Sequence, residues 1–502
     1  MAIAGLDVGT SGSKCTIFHD EGSVSSYSYR EYALERSSLG YIELNPDRVW
    51  EAVRTVIAEA AAGHKSGPVR ALCITSCGEM GVPVDREGRA LYGSMPYTDP
   101  RGQEQCDRLI ARLGRSEIMT RSGHNPHPMY SAPKIMWLRD NEPDVYRRMV
   151  TFLQYSDFIL FRLTGEKAVD WSLASRTLMF NVAKKEWDTV LLDAAELRAD
   201  QFPKPVQAGT PVATVLPSVA DELGLSSSTV VLLGGQDQIG AVVGGGAMEP
   251  RVAVNGTGSV DCITPVFDRP NTGEEMRRYN FACVPYIRPD YYVTYAFSFY
   301  GGALLKWYRD KFAQDAVREA RSQGVSVYTY LESTAPDEPT GLLILPHLSG
   351  AATPYMDIHS VGAVIGLTAD TDSGALYRGL MEGVAYEMRV NLDCLREAGV
   401  PVERLIATGG GSRSPMWMQM RADLFNLPVS VPEVEEAGTL GAAIMAGAVC
   451  GLYRDIAEGA RRLVRIKRTF EPDPALHDRY EELYGKYRRV YDCVREIQGR
   501  RN

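Results

Sequence analysis

Apolar stretches along the chain alternate with glycine-rich turns, and their spacing predicts a mixture of strands and helices. The N-terminal segment predicts a meander of three strands: Ala2 to Asp7, Lys14 to His19 and Val24 to Tyr32. A helix is expected after Asn45, which is a favourable N-cap residue and is followed by Pro46 at the first helical position. The run Arg70 to Thr75 predicts a buried strand, so the chain opens as an α/β protein.

The order of strand, Gly-Thr turn and strand occurs again in the second half of the chain. Arg251 to Asn255 and Val260 to Thr264 are predicted strands on either side of this turn. Further elements follow: a helix at Asp372 to Ala398, a strand at Arg404 to Thr408, helices at Pro415 to Phe425 and Glu436 to Ala448, and a charged helix from about Leu476. We interpret the repeat as an ancient duplication. The predicted domains are residues 1–246, residues 247–470 and a helical tail, residues 471–502.

The composition is that of an ordinary globular protein, since 45% of the 502 residues are apolar and 23% are charged. A net charge of −9 argues against general nucleic-acid binding, which uses a positive surface. No run reaches the roughly 18 apolar residues of a membrane span, and the start predicts a strand rather than a signal peptide. Nine scattered cysteines do not form a disulfide framework. We therefore expect a cytoplasmic protein of two domains with no nucleic-acid or membrane partner.

The two Gly-Thr turns are candidate phosphate-binding sites. The first lies within Gly5 to Lys14 and places Asp7 at the end of a strand, directly before a Gly-Thr-Ser-Gly-Ser bend. Main-chain N–H groups and hydroxyls of such a bend can face a phosphate, and the adjacent carboxylate can hold magnesium. The spacing is not that of a Walker loop, and an ordinary hairpin is the alternative. The second turn, Asn255 to Ser259, repeats this chemistry, so the two turns together could hold a polyphosphate from both sides.

The run Leu232 to Gly246 contains a candidate catalytic carboxylate, because Asp237 follows a buried strand and two glycines. A general base for an alcohol must reach the hydroxyl and stay ionised near neutral pH, and a carboxylate on a tight turn can do both. The alternative is that Asp237 is the N-cap of the next helix. The glycines of Thr408 to Pro415 let the backbone approach a flat group closely, or form only a strand-to-helix connection.

Ordered motifs cover the chain from Gly5 to about Gly447. The first half contains MYSAPKIMWLRDN (Met129 to Asn141), YTDPR (Tyr97 to Arg101), FRLTGE (Phe161 to Glu166), DWSLASRTLMFN (Asp170 to Asn181) and GGQDQ (Gly234 to Gln238). The second half contains NGTGS, GGALLKW (Gly301 to Trp307), LPHLSGAATPYMD (Leu345 to Asp357), ATGGGSRSP and EEAGTLGAA (Glu435 to Ala443). Together these motifs resemble the FGGY carbohydrate kinases, which include xylulose, gluconate, ribulose and glycerol kinases.

The resemblance implies an α/β fold of two actin-like ATPase domains of the ribonuclease-H-like type, with a nucleotide-binding cleft between them. It implies ATP and Mg2+, with Asp7 orienting the magnesium ion and Asp237 acting as the catalytic base. Nucleotide contacts are implied for Thr10, Ser11, Lys14, Gly256, Thr257, Gly258, Gly302, Gly410, Gly411 and Ser414. Contacts to the hydroxyls of the sugar are expected from Glu79, Asp99, Arg101, Asp237 and Gln238. For Glu79 the alternative is a surface turn residue.

The substrate is predicted only as a class. Xylulose kinases carry Gln-Met-His-Gly where this chain has GEMG, and glycerol kinases carry Arg-Glu, of which only Glu79 is matched. The leading prediction is phosphoryl transfer from ATP to a small sugar or polyol, foremost a ketopentose such as xylulose, then gluconate or another sugar acid or polyol. Alternatives from other classes are a catalytically silent sugar- and nucleotide-binding regulator, and an actin-like or chaperone ATPase with water as acceptor. A homodimer is expected from the family alone.

Overall fold

A computed structural model describes residues 2–37, 40–434 and 436–499 of the chain. The chain forms two α/β halves, each built on a mixed sheet. Within the described ranges, none of the helices combines the length and the apolar character that a membrane crossing requires.

The sheet of the first half has six strands. In spatial order they are Pro211–Thr214, Val230–Gln236, Val69–Ser76, Ala2–Val8, Gly12–His19 and Val24–Glu31. Val230–Gln236, Val69–Ser76 and Ala2–Val8 run parallel to one another, and the remaining pairs are antiparallel. These three strands are almost entirely buried, as expected for parallel strands covered on both faces.

The sheet of the second half repeats this order. Its strands are Val284–Pro285, Tyr292–Val293, Asp261–Phe267, Val252–Thr257, Arg404–Thr408, Val429–Pro432 and Ile466–Phe470, with Ala296–Ser298 also paired to Asp261–Phe267. Val252–Thr257 takes the place of Ala2–Val8, because it has an antiparallel hairpin partner on one side and a parallel strand on the other. The predicted repeat is therefore present in the topology.

Helices connect and flank the two sheets. In the first half they are Pro46–Gly63, Gln103–Leu113, Arg115–Ser122, Ser131–Asn141, Pro143–Arg148, Tyr155–Thr164, Trp171–Ser175, Thr189–Ala195, Pro217–Leu223 and Asp237–Gly244. In the second half they are Glu274–Arg278, Gly302–Phe312, Gln314–Gln323, Val327–Thr334, Ser373–Glu397, Pro415–Phe425, Ala437–Val449, Ile456–Leu463, Pro474–Tyr487 and Val490–Ile497. Short 3-10 turns occupy Ala199–Gln201 and Gly410–Arg413. Short two-stranded pairs join Glu35–Arg36 to Ile42–Glu43, Gly81–Val84 to Thr151–Gln154, Ala168–Asp170 to Lys204–Val206, Phe180–Asn181 to Glu186–Trp187, and Leu343–Leu345 to Ala363–Ile365.

Most predicted elements are present, with differences at their ends. Asn45 caps the first helix as predicted, and its side-chain oxygen accepts hydrogen bonds from two N–H groups of the first turn. The strand predicted at Val260 to Thr264 runs instead over Asp261–Phe267, because its pairing with the neighbouring strand continues past the predicted end. The tail predicted as one helix is two, Pro474–Tyr487 and Val490–Ile497, and each sends buried side chains into the core of the second half.

The two halves meet through a pair of helices that cross at glycine. A Cβ atom added at Gly244 or at Gly441 would lie only 1.8 Å or 1.9 Å from a carbonyl oxygen of the facing helix. Only glycine permits this approach between Asp237–Gly244 and Ala437–Val449. Ala437–Val449 belongs to the second half but also packs against Ala2–Val8 of the first.

Hydrogen bonds form a second link between the halves. The Cys283 N–H donates to the carbonyl oxygen of Gly123 at 2.7 Å, and Lys185 Nζ donates to the hydroxyl of Tyr292 at 2.8 Å. The irregular segments of the second half around Cys283 and Tyr292 are thereby held against the first half.

Candidate active site

Three parallel strands of the first half end at one edge of its sheet, and candidate acidic residues lie there. Ser76 is in register with the last residue of the strand on each side. Asp7 comes one residue before this edge, Asp237 comes directly after it, and Glu79 lies on the loop that follows Ser76. Carboxylates that are distant in sequence are therefore close in the structure.

Asp237 is the first residue of the helix Asp237–Gly244, whose N-cap is Gln236, so the alternative role of Asp237 as N-cap is wrong. Its Oδ1 accepts a hydrogen bond from the N–H of Gln238 at 2.7 Å, and the side chains of both residues are half-buried. Burial and the negative charge of Asp7 raise the pKa of Asp237 to about 7. A carboxyl with this pKa can accept a proton and release it again near neutral pH.

The motif that begins at Asp170 fixes the strand end in front of Asp237. Gly235 has φ +94°, a conformation that favours glycine, and the register of the strand shifts just before it. The N–H of Gln236 donates to Ser172 Oγ at 2.9 Å, and the Ser172 hydroxyl donates to the buried carboxylate of Asp170. The strand end before Asp237 is thus positioned by hydrogen bonds to a segment from elsewhere in the chain.

Asp7 and Lys14 face each other across the first hairpin. Asp7 Oδ1 accepts a hydrogen bond from Thr75 Oγ1 at 3.1 Å, and Asp7 Oδ2 lies 3.5 Å from Lys14 Nζ. Lys14 Nζ also donates to Glu436 Oε2 at 2.7 Å, which links it to the second half. Burial opposes the charge of Lys14, but the carboxylates of Asp7 and Glu436 outweigh it and raise the pKa of Lys14. Lys14 therefore carries a fixed positive charge between the halves.

The first Gly-Thr turn is closed by a hydrogen bond from the Gly9 N–H to the Gly12 carbonyl oxygen at 2.9 Å. The Tyr32 hydroxyl donates to the Gly9 carbonyl oxygen at 2.6 Å and braces the turn from one side. Within the part of the chain that the structure describes, the N–H groups of Thr10 and Ser11 donate no main-chain hydrogen bond. These two N–H groups are available to an anion.

The second Gly-Thr turn is joined to two other glycine segments. Thr257 Oγ1 donates to the carbonyl oxygen of Thr408 at 2.7 Å, and the Gly302 N–H donates to the Gly258 carbonyl oxygen at 2.8 Å. A Cβ atom added at Gly411 would lie 2.9 Å from the Cβ of Thr257. The structure therefore gathers the glycine segments predicted for the nucleotide side in one place.

The other predicted nucleotide residues of the second half lie beside this cluster. Gly256 is half-buried and in register with the last residue of a parallel strand. No described atom lies within 4 Å of a Cβ placed at Gly410, so the backbone there is open. Ser414 is the N-cap of Pro415–Phe425, and its Oγ accepts a hydrogen bond from the Trp417 N–H at 3.0 Å. Ser414 thus has a structural task besides the predicted nucleotide contact.

A buried ion pair that sequence reasoning missed lies under the second turn. Arg421 Nη2 donates to Asp261 Oδ2 at 2.5 Å, and both side chains are 0% exposed. The Asn255 side chain donates to Asp261 Oδ1 at 2.8 Å and accepts from Arg421 Nη1 at 2.7 Å. Every charge here is compensated within the core, so the cluster fixes the shape of the turn.

Glu79 is buried, with 4% exposure, so the alternative of a surface turn residue is wrong. It has φ +65° and forms an ion pair with Arg176, whose Nε donates a hydrogen bond to Glu79 Oε1 and whose Nη2 lies against the same oxygen. Burial opposes the charge of Arg176, but the carboxylate of Glu79 more than offsets this and raises the pKa of Arg176.

Asp99 and Arg101 are paired with each other. Arg101 donates to Asp99 Oδ1 from Nε at 2.8 Å and to Asp99 Oδ2 from Nη2 at 2.7 Å. Its Nη1 donates to Glu43 at 2.6 Å, and the guanidinium lies 4.3 Å from the ring centre of Tyr41. Because their polar atoms already have protein partners, this pair is better suited to positioning the loop, and its contact with substrate stays a prediction.

The lysine of the most specific motif, Lys134, supports the same loop. Its Nζ donates to the carbonyl oxygens of Met95 and Pro96 at 2.8 and 3.0 Å. Burial lowers the pKa of Lys134 to about 8. The motif therefore contributes a scaffold for the segment that precedes Asp99.

Two further buried residues near Asp237 were not predicted as site residues. Arg176 lies in the DWSLASRTLMFN motif, so its sequence context was an available signal. Tyr295 lies between the short strands Tyr292–Val293 and Ala296–Ser298, where no motif marks it. The guanidinium of Arg176 lies 5.3 Å from the ring centre of Tyr295, and the charge of Asp237 acts on both.

A nucleotide-borne magnesium ion is compatible with Asp7. Within the described ranges, no group of three or more His, Cys, Asp or Glu side chains is arranged to hold a metal ion. Magnesium that arrives with phosphates needs only one or two protein carboxylates, because phosphate oxygens and water supply the other ligands. Asp7, with Oδ2 half-buried beside Lys14, meets that smaller requirement.

Both halves match known protein-family profiles. The FGGY family of carbohydrate kinases, N-terminal domain, matches residues 2–244, and the C-terminal domain of the same family matches residues 252–450. The chain belongs to the FGGY family of carbohydrate kinases. The predicted enzyme class, a phosphotransferase with an alcohol acceptor, is thereby confirmed.

Individual relatives extend the match over nearly the whole length of this FGGY kinase. It is 26% identical to the xylulose kinase of Bacillus subtilis over 99% of this chain and 97% of the relative. It is 31% identical to the autoinducer-2 kinase of Klebsiella pneumoniae over 97% of this chain and 93% of the relative. Superposition on the xylulose kinase from Lactobacillus acidophilus gives a TM-score of 0.89 over 98% of each chain, with 23% identity. The predicted fold of two actin-like ATPase domains is confirmed.

Proposed function

We propose that this FGGY kinase transfers the γ-phosphoryl group of ATP to a hydroxyl of a small sugar or polyol, with Asp237 as the catalytic base. The observation that carries the proposal is the half-buried carboxyl of Asp237, with a pKa of about 7, at the edge where Asp7 and the first Gly-Thr turn also lie. A carboxylate at this pKa can accept the proton of an alcohol as its oxygen attacks phosphorus.

The remaining residues position the reactants and neutralise charge, which is most of what phosphoryl transfer requires of a protein. From the first half, the N–H groups of Thr10 and Ser11 and the ammonium group of Lys14 would bind the terminal phosphates. From the second half, the nucleotide would be bound by Gly256, Thr257, Gly258, Gly302, Gly410, Gly411 and Ser414. Glu79 and Gln238 would orient the acceptor so that its hydroxyl faces Asp237.

Asp7 would hold the magnesium ion of the nucleotide. When bound, that ion would supply positive charge to the phosphate oxygens. Lys14, 3.5 Å from Asp7, keeps the carboxylate in place and supplies a second positive charge on the same side.

The preferred acceptor is proposed to be a ketopentose such as xylulose, in line with the xylulose kinase of Bacillus subtilis. Autoinducer-2 is a second candidate because a relative with 31% identity carries that name. Gluconate or another sugar acid or polyol is the third. A catalytically silent regulator is disfavoured because Asp7, Asp237 and both Gly-Thr turns are all present.

The cellular setting is proposed from weaker observations. The nine cysteines are free thiols where the structure describes them, which suits the reducing cytoplasm. Homodimer formation is proposed from the family. Residues 1–246 are proposed as the sugar-binding domain with the base, residues 247–470 as the nucleotide-binding domain, and residues 471–502 as its tail.

Release of ADP across an acceptor panel tests the proposal. The purified protein would be supplied with ATP and magnesium and with xylulose, other ketopentoses, autoinducer-2, gluconate or glycerol in turn. Release that depends on the acceptor supports the kinase. Release at the same rate without any acceptor would indicate an ATPase, and nucleotide binding without release would indicate a silent regulator.

A further inference from the structure

One guanidinium nitrogen beside the base lacks a protein partner. Arg176 is 8% exposed and uses Nε and Nη2 for Glu79, whereas its Nη1 is buried without a hydrogen-bond partner in the described part of the chain. A buried donor without an acceptor costs free energy, so native structures supply one from protein, water or ligand. The nitrogen is thus available to an acceptor atom of a ligand.

A second such group comes from the other half of the molecule. Tyr295 is also 8% exposed, and its hydroxyl is likewise buried without a partner among the described residues. Burial raises the pKa of Tyr295, so the hydroxyl keeps its proton and can donate it in a hydrogen bond. Its ring lies against the guanidinium of Arg176, with 5.3 Å between the ring centre and Cζ.

The charges around these groups disfavour an anionic acceptor. Asp7, Glu79 and ionised Asp237 carry three negative charges, and Lys14 and Arg176 carry two positive ones, each already paired with a carboxylate. The carboxylate of an aldonate would add a further negative charge where the positive charges are already compensated. Hydroxyl and carbonyl oxygens need only the hydrogen bonds that the unpartnered donors offer.

We infer that Arg176 and Tyr295 form the wall of the acceptor pocket opposite the phosphates and select an uncharged ketose or polyol over an aldonate. The inference deepens the proposed function and rests on it. Because Arg176 belongs to the first half and Tyr295 to the second, the wall is complete only when the halves are together. Both donor atoms are covered in this arrangement, so the acceptor reaches them as the halves part and is enclosed as they meet.

Tyr295→Phe isolates the hydroxyl, and Tyr386→Phe is a matched control. Tyr386 is a buried tyrosine in the core of the second half, and its hydroxyl also lacks a partner in the described chain. For Tyr295→Phe we expect KM for the best uncharged acceptor to rise about 3- to 10-fold with KM for ATP unchanged. Tyr386→Phe should alter neither value. Equal acceptor KM in the two variants would overturn the inference.

Arg176→Lys retains the positive charge beside Glu79 but removes the unpartnered nitrogen. We expect kcat/KM for the acceptor to fall roughly 10- to 100-fold, since the lost hydrogen bond is charged. The control is Arg378→Lys, which changes another buried arginine that is paired with a glutamate, Glu382. It should leave acceptor KM unchanged. An Arg176→Lys variant with the acceptor kinetics of this control would overturn the role of Arg176.

The preference for an uncharged acceptor is tested on the wild-type enzyme with a ketose and an aldonate of equal carbon number. A higher kcat/KM for the ketose supports the inference, and a higher value for the aldonate overturns it while leaving the kinase proposal standing. A wild-type enzyme that phosphorylates nothing in the panel contradicts the proposed function, and the inference fails with it.

Discussion

The two halves carry the same hairpin at the same place in their sheets, but the charged residues of the two hairpins differ in exposure and in partners. In the first half, Asp7 and Lys14 are in register across the hairpin and lie half-buried between the halves. In the second half, Asp261 is in register with Thr257, is fully buried and is paired with Arg421 beneath the turn.

This difference distinguishes residues that can contact a ligand from residues that only support the fold. Charges that remain partly exposed between the halves can meet a phosphate, whereas an ion pair with no exposure can only hold the turn that covers it. One topology therefore leaves a partly exposed charge pair at the hairpin of the first half and encloses a fully buried ion pair beneath the hairpin of the second. The comparison predicts that substitutions in the first half change kinetics and that substitutions under the second turn change stability.

The largest effect is expected for Asp237→Asn, which would test whether the chemistry belongs to the first half. Asparagine keeps the shape of the side chain but cannot accept the proton, so kcat should fall roughly 10²- to 10⁴-fold. Single-turnover ADP formation would measure the loss, and the dissociation constant for ATP should stay the same. Near-normal turnover in this variant would remove the base assignment.

Removing Arg421 tests the second half and should lower the stability of the protein. Arg421→Met leaves Asp261 buried and uncompensated, and the free energy of unfolding should drop by about 3–5 kcal/mol in urea denaturation. Changing Asp261 to Leu in the same chain should restore much of this stability. A single variant with wild-type stability would show that the ion pair does not hold the turn.

Lys14→Met should affect catalysis more than folding. The positive charge beside the first turn is lost, and kcat/KM for ATP should fall roughly 10- to 100-fold, as for loss of a charged hydrogen bond. Thermal denaturation is the control and should show little change, since Lys14 is partly exposed. An unchanged KM and kcat would place the phosphates elsewhere.

The pH dependence of kcat/KM for the acceptor tests the proposed role of Asp237 in the first half. As the proposed base, Asp237 would act only when deprotonated. Burial and the charge of Asp7 raise its pKa to about 7, with Glu79 acting in the same direction and Arg176 opposing. Consequently kcat/KM for the acceptor should rise about tenfold per pH unit below that value and level off above it. In Asp7→Asn the midpoint should move to lower pH. A midpoint near 4 in the wild type would contradict the assignment.

The smallest effect is expected for the link between the halves at Glu436. Glu436→Gln weakens its contact with Lys14, a half-exposed ion pair worth at most about 1 kcal/mol. With Lys14 freer to meet phosphate, KM for ATP should fall by up to about fivefold. A higher KM for ATP in the variant would count against competition between Glu436 and phosphate for Lys14.

Features set by neighbouring residues were predictable from the sequence. The strands, both Gly-Thr turns, the Asn45 cap and the position of Asp237 after a buried strand all depend on local spacing, and the structure contains each of them. Features set by distant pairing were not. The partners Asp261 and Arg421 are 160 residues apart, and Tyr295 meets Arg176 only because the halves touch.

Glu79 shows the same limit of prediction from sequence within a single loop. Its residue type predicted a substrate contact or a surface turn, but its buried conformation with φ +65° depends on the guanidinium that closes over it. Asp99 and Arg101 were predicted as separate sugar ligands, although they satisfy each other across one residue. Ion pairs of this kind produce no periodic pattern in the sequence from which they could be predicted.

The helix Ala437–Val449 comes from the second copy of the repeat, yet it covers strands at the centre of the first sheet. A fragment that stopped near residue 246 would leave those strands without their cover and would expose apolar surface to water. The first half is therefore not expected to fold stably without the second. If the chain were cut between the halves, both pieces would have to be present together to form the complete first domain.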